Sequence, residues 1–182
     1  MLNIREDIRQ KWHKGFPRKK KNVKEIVIHG TAGGGSAKGL MSWMFRSGRK
    51  GYKRGIALFH YIVDYDGEIY EIINPDNWVY HSSSGRHDKT TIGIELMNKK
   101  TDNEGSYTSE QYASLDWLIL HLMNNYPIKN IVSHSYNIEK YSRAYKNCPG
   151  SKFKWGNVEA LLVDNGYEYD YIDSHFFNIE EI

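Results

Sequence analysis

The sequence is poor in cysteine and has no long apolar run. Its 182 residues include one cysteine, Cys148, so no intramolecular disulfide can form and the fold does not depend on oxidation. A lone cysteine is either a buried filler or a reactive or metal-bound thiolate. No apolar stretch approaches the roughly 20 residues of a membrane span, and the N-terminus lacks the hydrophobic core of an export signal. We therefore expect a soluble protein without a signal peptide.

Neither sign of charge dominates. Lysine and arginine total 25 against 22 acidic residues, and the net charge of +3 fits a polyanionic partner such as a cell wall or a nucleic acid without selecting either. The basic run from Arg18 to Lys21 has no interleaved aromatic residues, which favours a solvated loop over a nucleic-acid patch. Hydrophobic residues make up 40% of the chain, enough for one core. We expect a single domain over residues 1–182, with its core at about 23–165, an N-terminal helix 1–14 and a C-terminal tail 166–182.

Apolar periodicity predicts strands that alternate with helices. Short β-branched or aromatic runs predict strands at residues 25–29, 59–63, 68–72, 91–97 and 130–134, with Asp66-Gly67 as a hairpin turn. Helices are predicted over residues 1–14, 36–47, 109–125 and 151–165, the second with Leu40, Trp43 and Met44 on one face. Residues 74–91 are interpreted as a long surface loop. The predicted fold is α/β, a central mixed sheet of about five or six strands flanked by helices.

Two of the predicted strands end in histidine, and the lone cysteine follows the second of them. These residues are His29, His134 and Cys148. Neutral imidazole and thiolate are preferred zinc donors, and three protein ligands leave one tetrahedral position open, as in catalytic sites. The spacing carries no H-E-x-x-H or C-x-x-C signature, so ordinary strand-end histidines and a buried thiol remain the alternative.

Four segments carry motifs in a fixed order along the chain. They are IVIHGTA at residues 26–32, FHYIVDYDGEIY at 59–70, WVYH at 78–81 with TIGIEL at 91–96, and VSH at 132–134 with KNCPG at 146–150. Each is weak alone, but the ordered set resembles the type 2 N-acetylmuramoyl-L-alanine amidase family, which includes the peptidoglycan recognition proteins and phage lysozyme-like amidases. The resemblance implies Zn²⁺ held by His29, His134 and Cys148. It also implies hydrolysis of the amide bond between N-acetylmuramic acid and L-alanine in peptidoglycan.

The resemblance also implies roles for four further residues. Glu95 lies among apolar neighbours, where a carboxylate is costly without a task, and is expected to be the general base. Lys146 is expected to stabilise the oxyanion that develops on the amide carbonyl. His60 and His81 match recurrent family histidines and are predicted to bind substrate. For His81 a supporting position behind the metal ligands is an alternative, and for His60 a packed position in the core.

The chain departs from the family pattern at three places. Phe59 stands where some phage members carry a catalytic tyrosine, so no hydroxyl is available there. Asp88 stands at a position where the family often has asparagine. The segment from His134 to Cys148 is long and is predicted to be a loop that reshapes one wall of the cleft; its inserted residues are Tyr136, Tyr141, Arg143 and Tyr145.

The expected partner is peptidoglycan, and the expected protein is a monomer that acts in bacterial lysis. A phage endolysin made in the host cytoplasm and released to the cell wall fits this expectation, as does a prophage-encoded or cytoplasmic recycling amidase. The alternative function is a peptidoglycan-binding module without catalysis, against which the presence of Cys148 argues. A nucleic-acid-binding protein ranks well below both.

Overall fold

A seven-stranded mixed sheet forms the centre of the protein. The computed structural model describes residues 4–5, 15–46, 58–142 and 146–172. The strands in this sheet are β1 (Ile4–Arg5), β3 (Glu25–Gly30), β4 (Tyr61–Val63), β5 (Ile69–Glu71), β7 (Thr91–Leu96), β8 (Asn130–Ser133) and β9 (Tyr171–Ile172), in the spatial order β1-β5-β4-β7-β3-β8-β9. A separate two-stranded sheet pairs β2 (Phe16–Pro17) with β6 (Asn77–Trp78). The fold is therefore α/β, as the sequence predicted.

The two central strands, β3 and β7, are buried along their whole length. They run parallel, with Glu25 opposite Thr91 and His29 opposite Glu95. β4 and β8 continue the parallel arrangement on either side. Strands covered on both faces carry continuous apolar or β-branched runs, which is why IVI and TIGI form the middle of this sheet. Among the described strands of this sheet, β4 and β5 form the one antiparallel pair, joined by the predicted Asp-Gly hairpin, and β1 runs parallel to β5.

Helices cover both faces of the sheet. They are α1 (Ala37–Arg46), α2 (Gly85–Asp88), α3 (Ser109–Asn125), α4 (His134–Ser142) and α5 (Trp155–Asp164). Thr108 caps α3 in a reciprocal box with Gln111, and the apolar stripe of that helix packs on the sheet with α5. A second apolar cluster lies under α1 on the opposite face. Within the described residues, no helix has both the length and the apolar character needed to cross a membrane.

The structure corrects several predicted elements. Ile4 and Arg5 form a strand paired with β5 instead of the start of a helix, and residues 6–14 lie outside the described part of the chain. The sheet has seven strands instead of the predicted five or six. The difference comes from the two-residue edge strands, which carry too little periodicity to be recognised in the sequence. The predicted loop 74–91 contains β6 and α2, and the last helix begins four residues later than predicted, at Trp155.

Two further observations concern single segments. The segment after His134 begins as the helix α4 rather than as a loop; Tyr136 and Tyr141 lie on it, whereas Arg143 and Tyr145 lie outside the described residues. The helix starts there because Ser133 Oγ accepts a hydrogen bond from the main-chain N–H of Tyr136 at 2.9 Å. On α1, Met44 is buried, whereas Trp43 is 41% exposed.

Candidate active site

The two histidines and the cysteine singled out in the sequence converge at the carboxyl ends of β3 and β8. His29 is the fifth residue of β3, and His134 follows the last residue of β8 directly. Cys148 lies further along the chain, after α4. One potential ligand atom from each residue lies within 4.8 Å of the others. All three side chains are buried.

Cys148 is held in place mainly by main-chain bonds. Its N–H donates to Ser135 Oγ at 2.8 Å, its carbonyl accepts from the Ser135 N–H at 3.0 Å, and its Sγ accepts from the Gly30 N–H at 3.3 Å. A β-carbon on Gly30 would lie 2.5 Å from both Asn103 Oδ1 and Tyr107 Oη, so only glycine fits beside the thiol. Burial raises the pKa of the Cys148 thiol to about 12, and the nearby Glu95 carboxylate adds to this. A thiolate at this position therefore needs a bound cation to stabilise it.

The ring of His29 is fixed by a chain of hydrogen bonds that ends on a main-chain carbonyl. Thr91 Oγ1 donates to the His87 carbonyl at 3.3 Å, so it accepts from His81 Nε2 at 2.9 Å. His81 Nδ1 then has a free lone pair and accepts from His29 Nε2 at 3.1 Å. In the neutral His29 ring the proton is consequently on Nε2. The lone pair of Nδ1 is the one available to a metal.

Two neighbours, Lys146 and Ser83, determine which ring nitrogen of His134 carries the proton. Lys146 Nζ lies 3.3 Å from His134 Nδ1, and an ammonium group can only donate, so Nδ1 carries the lone pair. The proton of the neutral ring is therefore on Nε2, which lies 3.2 Å from Ser83 Oγ. Both metal-candidate histidines thus offer the same type of nitrogen, Nδ1, as the acceptor.

Both histidines are held in the neutral form. Burial lowers the pKa of His134 to about 3, helped by the charge of Lys146. Burial also holds the pKa of His29 well below its ordinary value, and the neighbouring rings of His134 and His81 lower it further. Neutral imidazole is the form that binds a metal ion, so no proton has to leave either ring before binding.

Glu95 and Lys146 line the same cleft as His29 and His134. Glu95 is the register partner of His29 across β3 and β7, so the two side chains project from the same face of the sheet. Its side chain is buried at 6% exposure yet lines the cleft. Lys146 is exposed and lies two residues before Cys148. The site therefore combines a carboxylate, an ammonium group and a His-His-Cys donor set.

These residues open into a cleft of about 650 Å³. Its walls come from the end of β3, from α1, from the segment before and within α2, and from the chain around His134. The lining residues are His29, Gly30, Thr31, Ala32, Leu40, Trp43, Leu58, Phe59, Tyr80, His81, Ser83, Ser84, Gly85, Asp88, Glu95, His134 and Lys146. Polar and apolar side chains line this cleft together, so it can accept a ligand that carries both kinds of group.

His60 is the predicted site residue that the structure does not bring to the cleft. Its side chain is 0% exposed, its Nδ1 accepts from the Gly93 N–H at 3.0 Å, and its Nε2 donates to the Asn77 carbonyl at 3.0 Å. Both ring nitrogens are used inside the protein, and burial together with the Arg18 guanidinium lowers the pKa of this ring. This placement favours the packed core position over substrate binding.

Several residues that matter at the site were not recognised from the sequence. Ser83 contacts His134, and Asp88 Oδ1 accepts from the N–H groups of His81 and Ser82 and from Ser82 Oγ, at 2.7 to 3.0 Å. Arg18 was interpreted as part of a solvated loop, yet its guanidinium donates to the carbonyls of Pro75, Asp88 and Thr91. The exposed lysines that follow it do agree with that interpretation. A serine in an irregular segment carries no signal in one sequence that distinguishes a ligand support from a turn.

The fold and the site define an α/β protein with a candidate hydrolytic metal centre at the carboxyl ends of its parallel strands. The profile of the N-acetylmuramoyl-L-alanine amidase family matches residues 19–151, more than half of the chain. The chain therefore belongs to that family of peptidoglycan amidases, as its sequence motifs predicted. No curated protein is similar enough in sequence to match it.

Solved structures share the fold at low sequence identity. The N-acetylmuramoyl-L-alanine amidase LysC from Clostridium intestinale URNW is 21% identical, with a TM-score of 0.68 over 92% of this chain and 100% of that one. The Ph2119 endolysin from the Thermus scotoductus MAT2119 bacteriophage Ph2119 is 20% identical, with a TM-score of 0.61 over 87% and 98%. A selenomethionine derivative of AmpD is 21% identical, with a TM-score of 0.61 over 88% and 98%.

Proposed function

We propose that the protein is a zinc-dependent N-acetylmuramoyl-L-alanine amidase in which His29, His134 and Cys148 hold the metal. The observation that carries the proposal is the convergence of these three donors within 4.8 Å, in a cleft that Glu95 and Lys146 also border. Membership of the amidase family supplies the substrate class, peptidoglycan. The bond to be cut joins the lactyl carbonyl of N-acetylmuramic acid to the amine of L-alanine.

The donor set fits zinc better than other common metals. Two neutral imidazole nitrogens and one sulfur match the borderline-soft character of Zn²⁺, whereas magnesium and calcium prefer oxygen ligands. Three protein ligands leave a fourth position open, which is the pattern of catalytic rather than structural sites. A zinc ion bound there supplies Lewis-acid polarisation and lowers the pKa of water.

Glu95 is proposed as the general base and, later, the general acid. It removes a proton from the attacking water as the new C–O bond forms at the amide carbon. It then returns that proton to the amine of L-alanine as the C–N bond breaks, which leaves a lactyl carboxylate and a free amino terminus. Its strand position supports this role, because β3 and β7 fix the carboxylate relative to His29 through paired main-chain bonds.

Lys146 is proposed to stabilise the negative charge that develops on the carbonyl oxygen. Its Nζ already lies 3.3 Å from His134 Nδ1, on the cleft side of the donor set. Phe59 lines the same cleft without a hydroxyl group, so it cannot share that task. Lys146 is the cation lining the cleft among the described residues, and removal of such a group typically costs about 10²–10³-fold in turnover.

His81 is proposed as a positioning residue rather than a group that contacts substrate. Both of its ring nitrogens are engaged, one by His29 and one by Thr91, and its exposed fraction is only 8%. Outer partners of this kind set the tautomer and the orientation of a histidine ligand. A polar group for substrate recognition would instead need a ring nitrogen facing the cleft.

The proposal is tested on purified peptidoglycan sacculi by counting the amino termini that the protein releases, together with the bound zinc. We expect about one zinc ion per chain and new L-alanine amino termini. The variant Glu95→Gln is the matched comparison, because it keeps all three ligands; it should retain zinc and lose about 10²–10⁴-fold in activity. Zinc binding with sacculus binding but no release would instead support the alternative, a peptidoglycan recognition module.

We propose further that the activity serves bacterial lysis. The support is the resemblance of the fold to proteins named as endolysins, including the Ph2119 protein. A lytic enzyme added from outside to cells with an exposed wall should lower the turbidity of the suspension. A recycling enzyme would act on soluble muropeptides and leave intact sacculi and cells unchanged.

A further inference from the structure

Ser83 occupies an unusual position beside the candidate metal ligands. It lies two residues after His81 and lines the cleft. Its φ is +66°, a left-handed backbone conformation that residues other than glycine, asparagine and aspartate rarely adopt. Its hydroxyl oxygen lies 3.2 Å from His134 Nε2. The backbone conformation therefore coincides with a contact to a ring that the proposed function assigns to the metal.

The direction of this hydrogen bond follows from the other side of the ring. Lys146 can only donate, so His134 Nδ1 accepts and His134 Nε2 carries the ring proton. The Ser83 hydroxyl is then the acceptor of the Nε2 proton. The hydroxyl thus satisfies the nitrogen that faces away from the donor set and leaves the Nδ1 lone pair directed toward it.

The segment that carries Ser83 is itself anchored. Asp88 Oδ1 accepts from the N–H groups of His81 and Ser82 and from Ser82 Oγ, which fixes the two residues before Ser83. The same segment supplies His81 to the ring of His29. One short stretch of chain therefore supports both histidines from behind.

We propose that Ser83 is a positioning residue for the metal ligand His134, and that its hydroxyl holds the ring with Nδ1 toward a bound zinc ion. This inference rests on the metal-site part of the proposed function and adds a residue to it. It also accounts for the left-handed backbone at Ser83, because that conformation places the hydroxyl within hydrogen-bond distance of His134 Nε2. Loss of such an outer partner typically weakens metal affinity about 10–100-fold.

The test uses the full chain with Zn²⁺ alone as the probe. Zinc affinity is measured by competition with a chromophoric chelator for wild type, Ser83→Ala, Ser83→Gly and the control Ser84→Ala, which changes a neighbouring serine on the same cleft wall. We expect both Ser83 variants to bind zinc about 10–100-fold more weakly and the control to match wild type. Glycine suits a φ of +66°, so Ser83→Gly should not lower the melting temperature of the metal-free protein.

A second readout follows the ring directly. In the metal-free wild type, the Nε2 proton of His134 should exchange slowly enough to give a ring N–H signal by NMR, and both Ser83 variants should lose that signal. Unchanged zinc affinity in both variants, or a loss in one variant that follows its melting temperature, would overturn the inference. A wild type that binds zinc but releases no stem peptide would refute the proposed function, whereas weaker zinc binding by the Ser83 variants in that same protein would still support the role of Ser83.

Discussion

Replacement of Gly93 by alanine should disturb the candidate metal site from the interior of the sheet. A β-carbon at this position in β7 would lie 2.7 Å from His81 Nδ1 and 2.9 Å from His81 Cγ, closer than real side chains approach. The atom that it would meet first is the nitrogen that accepts from His29 Nε2. The substitution should therefore push away the ring that orients His29.

The backbone cannot withdraw to relieve this clash. The N–H of Gly93 donates to His60 Nδ1 at 3.0 Å, its carbonyl accepts from the His60 N–H at 2.9 Å, and its Cα pairs with Val27 of β3. Overpacking of this kind costs about 1–3 kcal/mol. For a chain of this length that corresponds to a fall of roughly 2–12 °C in melting temperature.

The assay combines thermal unfolding, followed by circular dichroism, with zinc affinity. Gly93→Ala should lower the melting temperature of the metal-free protein and weaken zinc binding about 10–100-fold, because His29 loses its outer partner. The control is Gly39→Ala on α1, where the nearest atom to the new β-carbon is 3.6 Å away; there alanine should add about 0.5–1 kcal/mol of stability. Unchanged melting temperature and zinc affinity in Gly93→Ala would refute the reasoning about His81.

Three further outcomes are expected from the same structure. Lys146→Met should lower amidase turnover about 10²–10³-fold without weakening zinc binding, because the ammonium group competes for the His134 lone pair; full activity in steady-state assays would contradict its role. Arg18→Met should cost at least about 2 kcal/mol in urea unfolding, because three carbonyls lose a charged donor, whereas the exposed neighbour change Lys19→Met should cost almost nothing. Burial raises the pKa of Asp88 above its unfolded value, so ionisation of this carboxyl lowers stability as pH rises through the folded pKa. Asp88→Asn should therefore melt higher than wild type at pH 7 and lose that advantage near pH 4. No advantage at pH 7 would show that the three hydrogen bonds to Asp88 Oδ1 stabilise the carboxylate by more than burial destabilises it.

The central part of the fold was predictable because its elements carry strong local signals. The runs that became β3 and β7 are continuously apolar, and the hairpin between β4 and β5 has an Asp-Gly turn. The long helix α3 has both a capping box and an apolar stripe. In each case local propensity and tertiary burial point to the same structure, which is the condition under which pattern reasoning succeeds.

The remaining elements depend on contacts that are distant in sequence. Strands β1 and β9 have two residues each and exist only because β5 and β8 present free edges to them. Arg18 is followed by three lysines, so its burial against carbonyls about 57 to 73 residues away could not be inferred from composition. Helix α4 did carry a signal, a serine three residues before the N–H that it caps, but the segment was interpreted as a long loop.

The candidate site divides in the same way. Strand ends, donor chemistry and the resemblance to the amidase family together singled out His29, His134 and Cys148, and the structure brings their donor atoms within 4.8 Å of one another. The hydroxyl partners Ser83 and Thr91 were not recognised, since a serine or threonine hydroxyl has many ordinary uses. His60 and His81 both matched family histidines, but their surroundings differ: His60 bonds to main-chain groups in the core, and His81 bonds to His29.

The most direct test of the account is mass analysis of the fragments that the protein releases from purified peptidoglycan, with and without a zinc chelator. The account predicts stem peptides with free L-alanine amino termini and glycan strands whose N-acetylmuramic acid keeps its lactyl carboxylate. The chelator should abolish this release, and added Zn²⁺ should restore it. Release that continues at full rate in the chelator, or fragments cut at any other bond, would contradict the claim that His29, His134 and Cys148 form the zinc centre of an amidase.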